Sequence, residues 1–548
     1  MVASPARTRR QLHWLVGLFS WLPLAACHDA DWFAAPVPAN LKVEPSPLAQ
    51  APVKEPSGPV DWERTPVPTA DGPKIAPLAM VVGVRERPER DARVVGTLRV
   101  GARVARSRAP VSHRDCEGGW YAIRPVGFLC NGPDATVRLD NPIARAIHIE
   151  PDRSRPMPYR YGFLRAIAPN YLRVPTKDEQ FKYEMRLKRH LRNWKKFSDV
   201  WDALDVGAND VPVDARGLAV GDIPDHARPL GISERYGGSG DDKIPWWLTG
   251  DERRIPNLSS FRAPSYAVIA NRVKRHAGVA LIGTFIAGSD AQDRRFAITT
   301  DARLIPADKI KASSGSPFHG AEISKIGLPV AFPIDPSSHF YQVESGRLVQ
   351  KDRAPYRVLV PLTGTVHRFG EIRLVETRDH LWLKSDELQT VAKPSSLPAF
   401  ARDQIRWIDI SIINQTLVLW QGATPIFATL VSTGRDGLGE PGKTLSTPLG
   451  TFRIYQKYVT TTMDSDVADK EFELRDVPWV MYFKGGYALH AAYWHDGFGH
   501  PRSHGCVNLS PLDARFVFNW SSPVVPEHWQ SVDSGSPFEE GTIVNIHP

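Results

Sequence analysis

The 548-residue chain has little cysteine: Cys27, Cys116, Cys130 and Cys506 are all it carries. Four scattered thiols exclude a disulfide-dense scaffold and a four-thiolate zinc site. Long apolar runs are also missing. Beyond the first thirty residues, no stretch approaches the roughly 18 apolar residues that a membrane-spanning helix needs. Charge of one sign is weak, with 68 Lys and Arg against 60 Asp and Glu, a net +8. The excess is uneven, because residues 401–548 hold 11 basic and 16 acidic side chains. A basic bias of this size in the first 400 residues fits nucleic acid, anionic lipid or an acidic polymer equally, so it names no partner. The run Gly237-Gly238-Ser239-Gly240 lacks the lysine and Ser/Thr pair of a phosphate loop and reads as a flexible loop. What abounds is turn formers. The 41 glycines and 48 prolines exclude a coiled coil or helical solenoid and favour short strands joined by turns. At roughly 150 residues per domain, the length fits three or four domains.

The first thirty residues bear on compartment. Arg7, Arg9 and Arg10 precede an apolar run from Leu12 to Leu24, too short to span a bilayer but suited to a secretory signal. Leu24-Ala25-Ala26-Cys27 closes it and resembles the bacterial lipobox, in which the cysteine is acylated and becomes the mature N-terminus. An ordinary signal peptide with a chance cysteine is the plainer alternative. Export removes nucleic acid as a partner and makes an oxidising cell envelope the working environment. His28 after Cys27, rather than Asp, favours outer-membrane sorting where a cell has two membranes.

Residues 28–75 are proline-rich without apolar periodicity and read as an extended tether. From Ala79 to Asn131, short β-type runs such as Val94 to Leu98 and Gly119 to Ile123 alternate with turn residues. This layout resembles a bacterial SH3-type barrel. Cys116 and Cys130 fall within it, and in an oxidising envelope they read as a disulfide worth about 3 kcal/mol for a loop of that size. A metal pair with His113 is the alternative. Residues 141–395 are the least informative. Thr176 and Glu179 form a capping box, and Tyr183, Leu187, Leu191 and Trp194 recur at helical spacing. The same helix carries Arg186, Lys188, Arg189, Arg192, Lys195 and Lys196, a solvated face or a contact with anionic lipid or wall polymer. Val279 to Leu304 and Tyr356 to Leu388 read as further small β modules. A linker follows at Lys393 to Pro398.

The last 150 residues carry the chemistry. Ile408, Ile410 and Ile412 alternate with polar residues, Asn414-Gln415 turns the chain, and Leu417 to Trp420 returns as a hairpin. A second hairpin joins Val480 to Phe483 with Tyr487 to His490 around Gly485-Gly486, so His490 falls at a strand end. Ser503-His504-Gly505-Cys506-Val507-Asn508 follows after twelve intervening residues. Ser510, Pro511 and Asp513 then read as N-cap, first position and first turn of a helix. A cysteine beside glycine, with a histidine on the neighbouring strand, has the parts of a thiol nucleophile and its base. Gly505 admits close backbone approach, and the Gly505 and Cys506 N–H groups are candidates to face a developing oxyanion.

His490 and the Ser503–Asn508 run resemble the signature of the L,D-transpeptidase catalytic domain, the YkuD-type family. Val431-Ser432-Thr433-Gly434 and Thr447 to Phe452 resemble its early strand and turn, and the match covers 405 to 546. The resemblance implies a cofactor-free enzyme that crosslinks peptidoglycan stem peptides through a cysteine acyl-enzyme. It implies Cys506 as nucleophile and His490 as general base, with His504 and Gly505 at the nucleophile turn. Ser503, Asn508 and Trp494 are implied along the donor site. Ala491 stands where Gly or Ser is common, and Asn508 replaces the Arg of many members.

Other readings stand beside it. His490, His495, His500, His504, Cys506 and Asp496 could ligate zinc, although their spacing is irregular. His495 and His500 otherwise read as loop residues lining the cleft. The acidic run Asp464, Asp466, Asp469, Glu471 and Glu473 reads as a solvated lid, since an EF-hand's spacing and glycine are absent. A water acceptor would make a carboxypeptidase and a protein lysine an anchoring enzyme. A catalytically silent wall-binding lipoprotein is the reading from a different class. The expected organisation is a signal over 1–27, tether 28–75, SH3-like domain 76–140, mixed region 141–395 and catalytic domain 396–548. The fold class is mainly β and multidomain, with SH3-like barrels at the front. At the C-terminus stands a β-sandwich-like catalytic fold with a short helix after the cysteine. The expected partners are stem peptides and, through Cys27, a membrane. No signal of oligomeric state is present.

Overall fold

A computed structural model describes residues 64–203, 230–250, 253–258, 262–465 and 472–548. The leader with Cys27, most of the tether, and Asp466, Asp469 and Glu471 of the acidic run lie outside the described residues. Among the described residues the architecture is mainly β, in four sheets. No described helix is long and apolar enough to cross a membrane.

The chain becomes a strand at Lys74–Pro77, inside the span read as tether. Ile75 and Ala76 are apolar and buried there, pairing with Val104–Ala105 and Ala135–Thr136. The other early strands, Val81–Arg85, Val94–Arg99, Trp120–Ala122 and Phe128–Cys130, join a different sheet. Their pairings among the described residues trace no closed barrel. A disulfide joins Cys116 and Cys130, whose Cα atoms are 5.9 Å apart.

The helix read through Tyr183 to Trp194 is two helices, Lys177–Tyr183 and Leu187–Ala203. The capping box of Thr176 and Glu179 opens the first. Glu184 ends it by turning inward, where its buried carboxylate meets Arg294 at 2.7 Å, Lys309 at 2.7 Å and the Tyr171 hydroxyl at 3.0 Å. Arg186 then turns the chain with φ 53° before the second helix starts. Burying a carboxylate with three charge-assisted partners outweighs helix continuity here. The basic side chains Lys188, Arg189, Arg192, Lys195 and Lys196 are exposed.

Two further β units fill the middle of the chain. One is built on Gly278–Ile286, paired with Arg295–Thr299 and Arg160–Leu164. The other is a seven-stranded sheet from Val330–Pro333 to Leu388–Val391, with its own core of Ala331, Val360, Leu362, Val375 and Leu383.

The C-terminal unit has two sheets with one helix between them. The first sheet runs Ala321–Glu322, Thr424–Leu430, Thr416–Gln421, Arg406–Ser411, Ile543–His547 and Gly450–Arg453. Its outermost strand comes from the middle of the chain rather than from residues 396–548. The second is centred on the long hairpin Gln456–Ser465 and Phe472–Lys484, followed by Tyr487–Ala491 and Val507–Leu509. Ile408, Ile410 and Leu419 from one sheet, Met481 and Leu489 from the other, and Val517 from the helix Pro511–Trp520 share one core.

The long hairpin also joins modules. Ser531–Asp533 links it to Val94–Arg99, and Leu474 pairs in parallel with Gly278. Where these units meet, Asp476 takes hydrogen bonds from Arg99, at 3.1 Å through Nη2, and from Thr460 at 2.9 Å and Thr300 at 2.5 Å. Burial alone would raise the Asp476 carboxyl. The Arg99 charge and the hydrogen bonds from Arg99, Thr300 and Thr460 instead hold it below the ordinary carboxylate value.

Candidate active site

His490 lies in Tyr487–Ala491, and Cys506 directly precedes Val507–Leu509. The two strands pair in parallel, Leu489 with Val507 and His490 with Asn508. Paired residues of a parallel ladder share a face, and so do residues two apart. Register and alternation therefore bring Cys506 and Asn508 to the face of His490. The helix behind them begins as its sequence requires: the Ser510 hydroxyl accepts the Asp513 N–H at 3.2 Å, and Pro511 occupies the first turn.

Cys506 and His490 are 6% and 2% exposed. The Cys506 thiol lies 3.8 Å from the Gly486 carbonyl oxygen, at the hairpin turn. His490 Nδ1 is 3.2 Å from the Ala491 carbonyl oxygen. A carbonyl has no proton to give, so Nδ1 carries the hydrogen and Nε2 keeps its lone pair. Burial, opposed only by that backbone hydrogen bond, lowers the imidazole to about 4. His490 is thus a neutral ring with a free basic nitrogen. Trp494 packs beside it with ring centroids 5.6 Å apart.

Gly505 is dictated by the turn. It has φ +126°, and a Cβ there would stand 2.5 Å from Tyr487 Cε1. The expected oxyanion arrangement needs correction at this residue. The Gly505 N–H donates to Ser503 Oγ at 3.0 Å, and the Ser503 hydroxyl in turn donates to the Cys506 carbonyl. With that φ the turn folds back on itself, so Ser503 reaches across it and engages the Gly505 donor. Ser503 accordingly ties the Ser503–Cys506 turn together, and a bridge from Ser503 to Gly434 fixes it to the Val431–Gly434 segment. His504 is buried within the same turn.

His495 read from sequence as a zinc-ligand candidate or a loop residue lining the cleft, and the fold brings it against Asn508. Gly497 N–H donates to His495 Nδ1 at 3.2 Å, so the neutral ring carries its proton on Nε2. The Asn508 amide lies 3.0 Å from that Nε2. The two ends of an amide have the same shape, and the orientation that satisfies both groups turns the Asn508 carbonyl oxygen toward the ring. The other end of the amide has no partner among the described residues. Burial first, then the neighbouring Arg502 and His490, lowers the His495 imidazole to about 3.

Asp496 is turned away from these rings. It forms a bidentate pair with Arg357, 2.7 Å to each carboxylate oxygen, and accepts a hydrogen bond from Ser316. His500 is exposed. Among the described residues, no group of three or more His, Cys, Asp or Glu side chains is arranged to hold a metal ion. No sequence signal pointed to Arg357 or Ser316, which lie more than a hundred residues upstream of the loop they touch.

Residues 405–546 match the family model of the L,D-transpeptidase catalytic domain, YkuD. A comparison with curated proteins finds no match. Among solved structures, the chain is similar to an L,D-transpeptidase from Xylanimonas cellulosilytica at 23% identity, covering 29% of this chain and 64% of that one, with a TM-score of 0.20. It is similar to the catalytic domain of the Enterococcus faecium L,D-transpeptidase at 20% identity, covering 26% of this chain and 98% of that one, TM-score 0.20. For an L,D-transpeptidase from Mycobacterium smegmatis the figures are 16% identity, 40% and 82% coverage and TM-score 0.21. The match thus spans less than two thirds of the Xylanimonas chain. Likenesses this distant carry nothing further.

Proposed function

We propose that the protein is a peptidoglycan L,D-transpeptidase that works through a cysteine acyl-enzyme. The observation that carries this is the register of His490 and Asn508 beside Cys506, within the segment that matches the catalytic-domain family. The Cys506 sulfur attacks the carbonyl of the third, diamino residue of a tetrapeptide stem, and its proton passes to His490 Nε2. The tetrahedral centre collapses, the bond to the terminal D-alanine breaks, and the leaving amine takes that proton. A side-chain amine from a second stem then attacks the thioester, gives its proton through His490, and releases the thiol with a 3→3 crosslink formed. Because His490 is neutral near pH 7, the proton moves during the attack rather than resting in a preformed ion pair. The Cys506 backbone N–H is the oxyanion donor relied on, since Ser503 engages that of Gly505. Thiol and imidazole supply nucleophile and proton transfer, so no cofactor enters.

Trp494 forms a wall of the donor site, His504 shapes the nucleophile turn, and Asn508 offers its unpartnered amide end to the stem peptide. A lipid on Cys27 and the following tether hold the protein in the cell envelope, in the periplasm. The module over 76–140, SH3-like in its strand pattern, and the basic middle region grip wall polymer. The catalytic unit is residues 396–548.

Incubation of purified sacculi with the full chain, followed by muramidase digestion and muropeptide mass spectrometry, tests the reaction. Wild type should yield 3→3 dimers and Cys506→Ala none. Product from Cys506→Ala would sink the assignment. A carbapenem should add covalently to Cys506 and to no other residue, visible as a mass adduct.

A further inference from the structure

The nucleophile and its base are joined by the loop 492–502, and that loop is gripped by a module distant in sequence. Arg357, between two strands of the seven-stranded sheet, holds Asp496 through both carboxylate oxygens at 2.7 Å and its backbone carbonyl at 2.9 Å. The Arg357 side chain is 10% exposed, and its guanidinium stacks over Phe318 and Tyr356, 5.2 and 4.6 Å from the ring centroids. Phe318 in turn stacks on Phe498 of the loop, centroids 6.0 Å apart. Three residues beyond Asp496, the Gln389 amide donates to the Gly499 carbonyl at 2.7 Å. Gly499 has φ +95° and faces Ile334, whose Cγ2 would lie 2.9 Å from an added Cβ. Next to Asp496 is His495, the ring bonded to Asn508, which pairs in register with His490.

We infer that residues 330–391 are a clamp that presets the catalytic loop, with Arg357 as its positioning residue. A loop of this length between two reacting groups has many conformations, and a small misplacement costs rate heavily. A bidentate pair on a stacked, nearly buried guanidinium fixes direction as well as distance. Through Asp496 and His495 the clamp sets the Asn508 amide and the Trp494 wall beside His490, without touching substrate. The inference rests on the reading of Cys506 and His490 given above.

The test uses the purified full chain and two readouts. The first is the second-order rate of carbapenem acylation at Cys506. The second is amide hydrogen exchange over 492–502, which does not depend on the chemistry. Arg357→Ala should slow acylation about 10- to 100-fold and deprotect the loop, while the rest of the chain keeps its protection. Arg357→Lys should recover part of the rate, and the swapped pair Arg357→Asp with Asp496→Arg should recover more than either single change. An Arg357→Ala variant that matches wild type in both rate and loop exchange overturns the clamp. So does a general loss of protection that neither Arg357→Lys nor the swapped pair restores. If wild type is not acylated at Cys506, the functional reading fails, and loop exchange alone then decides for or against the clamp.

Discussion

Asp476 and His490 lie on adjacent strands of one sheet, both almost fully buried, and the protein treats them oppositely. Asp476 keeps its charge because Arg99, Thr300 and Thr460 surround it. His490 is kept neutral because burial dominates and its one hydrogen bond runs to a backbone carbonyl. The first arrangement is a weld. It joins the front module, the middle module and the long C-terminal hairpin at one paired charge, and nothing in it is free to change. The second holds a neutral imidazole by burial alone. Burial by itself therefore says little about function; what decides is whether the surroundings complete the group's valences or leave one open.

The comparison breaks most easily at the weld. Asp476→Ala leaves Arg99 buried and unpaired, and should cost about 3–5 kcal/mol in urea unfolding. A cost below about 1 kcal/mol would mean the junction is wetter or looser than a weld. Acid separates the two regions next. In the unfolded chain His490 and His495 protonate near pH 6.5, whereas in the folded protein they stay neutral down to about 4 and about 3. Their contribution to stability is complete above pH 6.5 and shrinks as pH falls toward those values. Each should remove about 2 kcal/mol between pH 6.5 and 5. The folded-state value of Asp476 is lowered, so its contribution survives that window and is lost only at more acidic pH. His490→Gln should flatten the stability profile between pH 6.5 and 5 by one histidine's share, while Asp476→Ala should leave the slope unchanged. Cys506 acylation should likewise persist to pH 5.5 and fall only as pH approaches about 4, where His490 protonates. The smallest effect belongs to an exposed pair. Lys443 and Glu440 lie 3.0 Å apart on the surface, and Glu440→Ala should change stability by less than about 0.5 kcal/mol. A larger change would show that exposed pairs carry weight here which the contrast with Asp476 denies them.

Much of the site was written in local pattern. The hairpin around Gly485-Gly486, the placement of His490 at a strand end, and the Ser510–Pro511–Asp513 helix start all follow from short-range rules. Alternation and capping need only a few neighbouring residues, so sequence displays them. The double use of Ser503 does not show in sequence, because it depends on the φ of Gly505 and on how far the turn folds back. The break at Glu184 escaped for a different reason. Helical spacing runs through Tyr183, Leu187 and Leu191, and the cations that pull the carboxylate inward, Arg294 and Lys309, lie over a hundred residues away. Sequence placed His495 as a zinc-ligand candidate or a cleft residue but not against Asn508, since that contact forms only across the site.

Residue type and local pattern set the chemistry-bearing parts: a thiol next to glycine, a histidine at a strand end, a helix start behind them, and turns in place of long helices. These are properties of residue type and near neighbours, and the chain carries them wherever it folds. Which donors stay open, which imidazoles stay neutral and which distant module meets the loop between His490 and Cys506 depends on the assembled fold. Those outcomes turn on burial and on charges brought together from far along the chain. Desolvation and pairing energies exist only once the fold has removed water and set the partners in place.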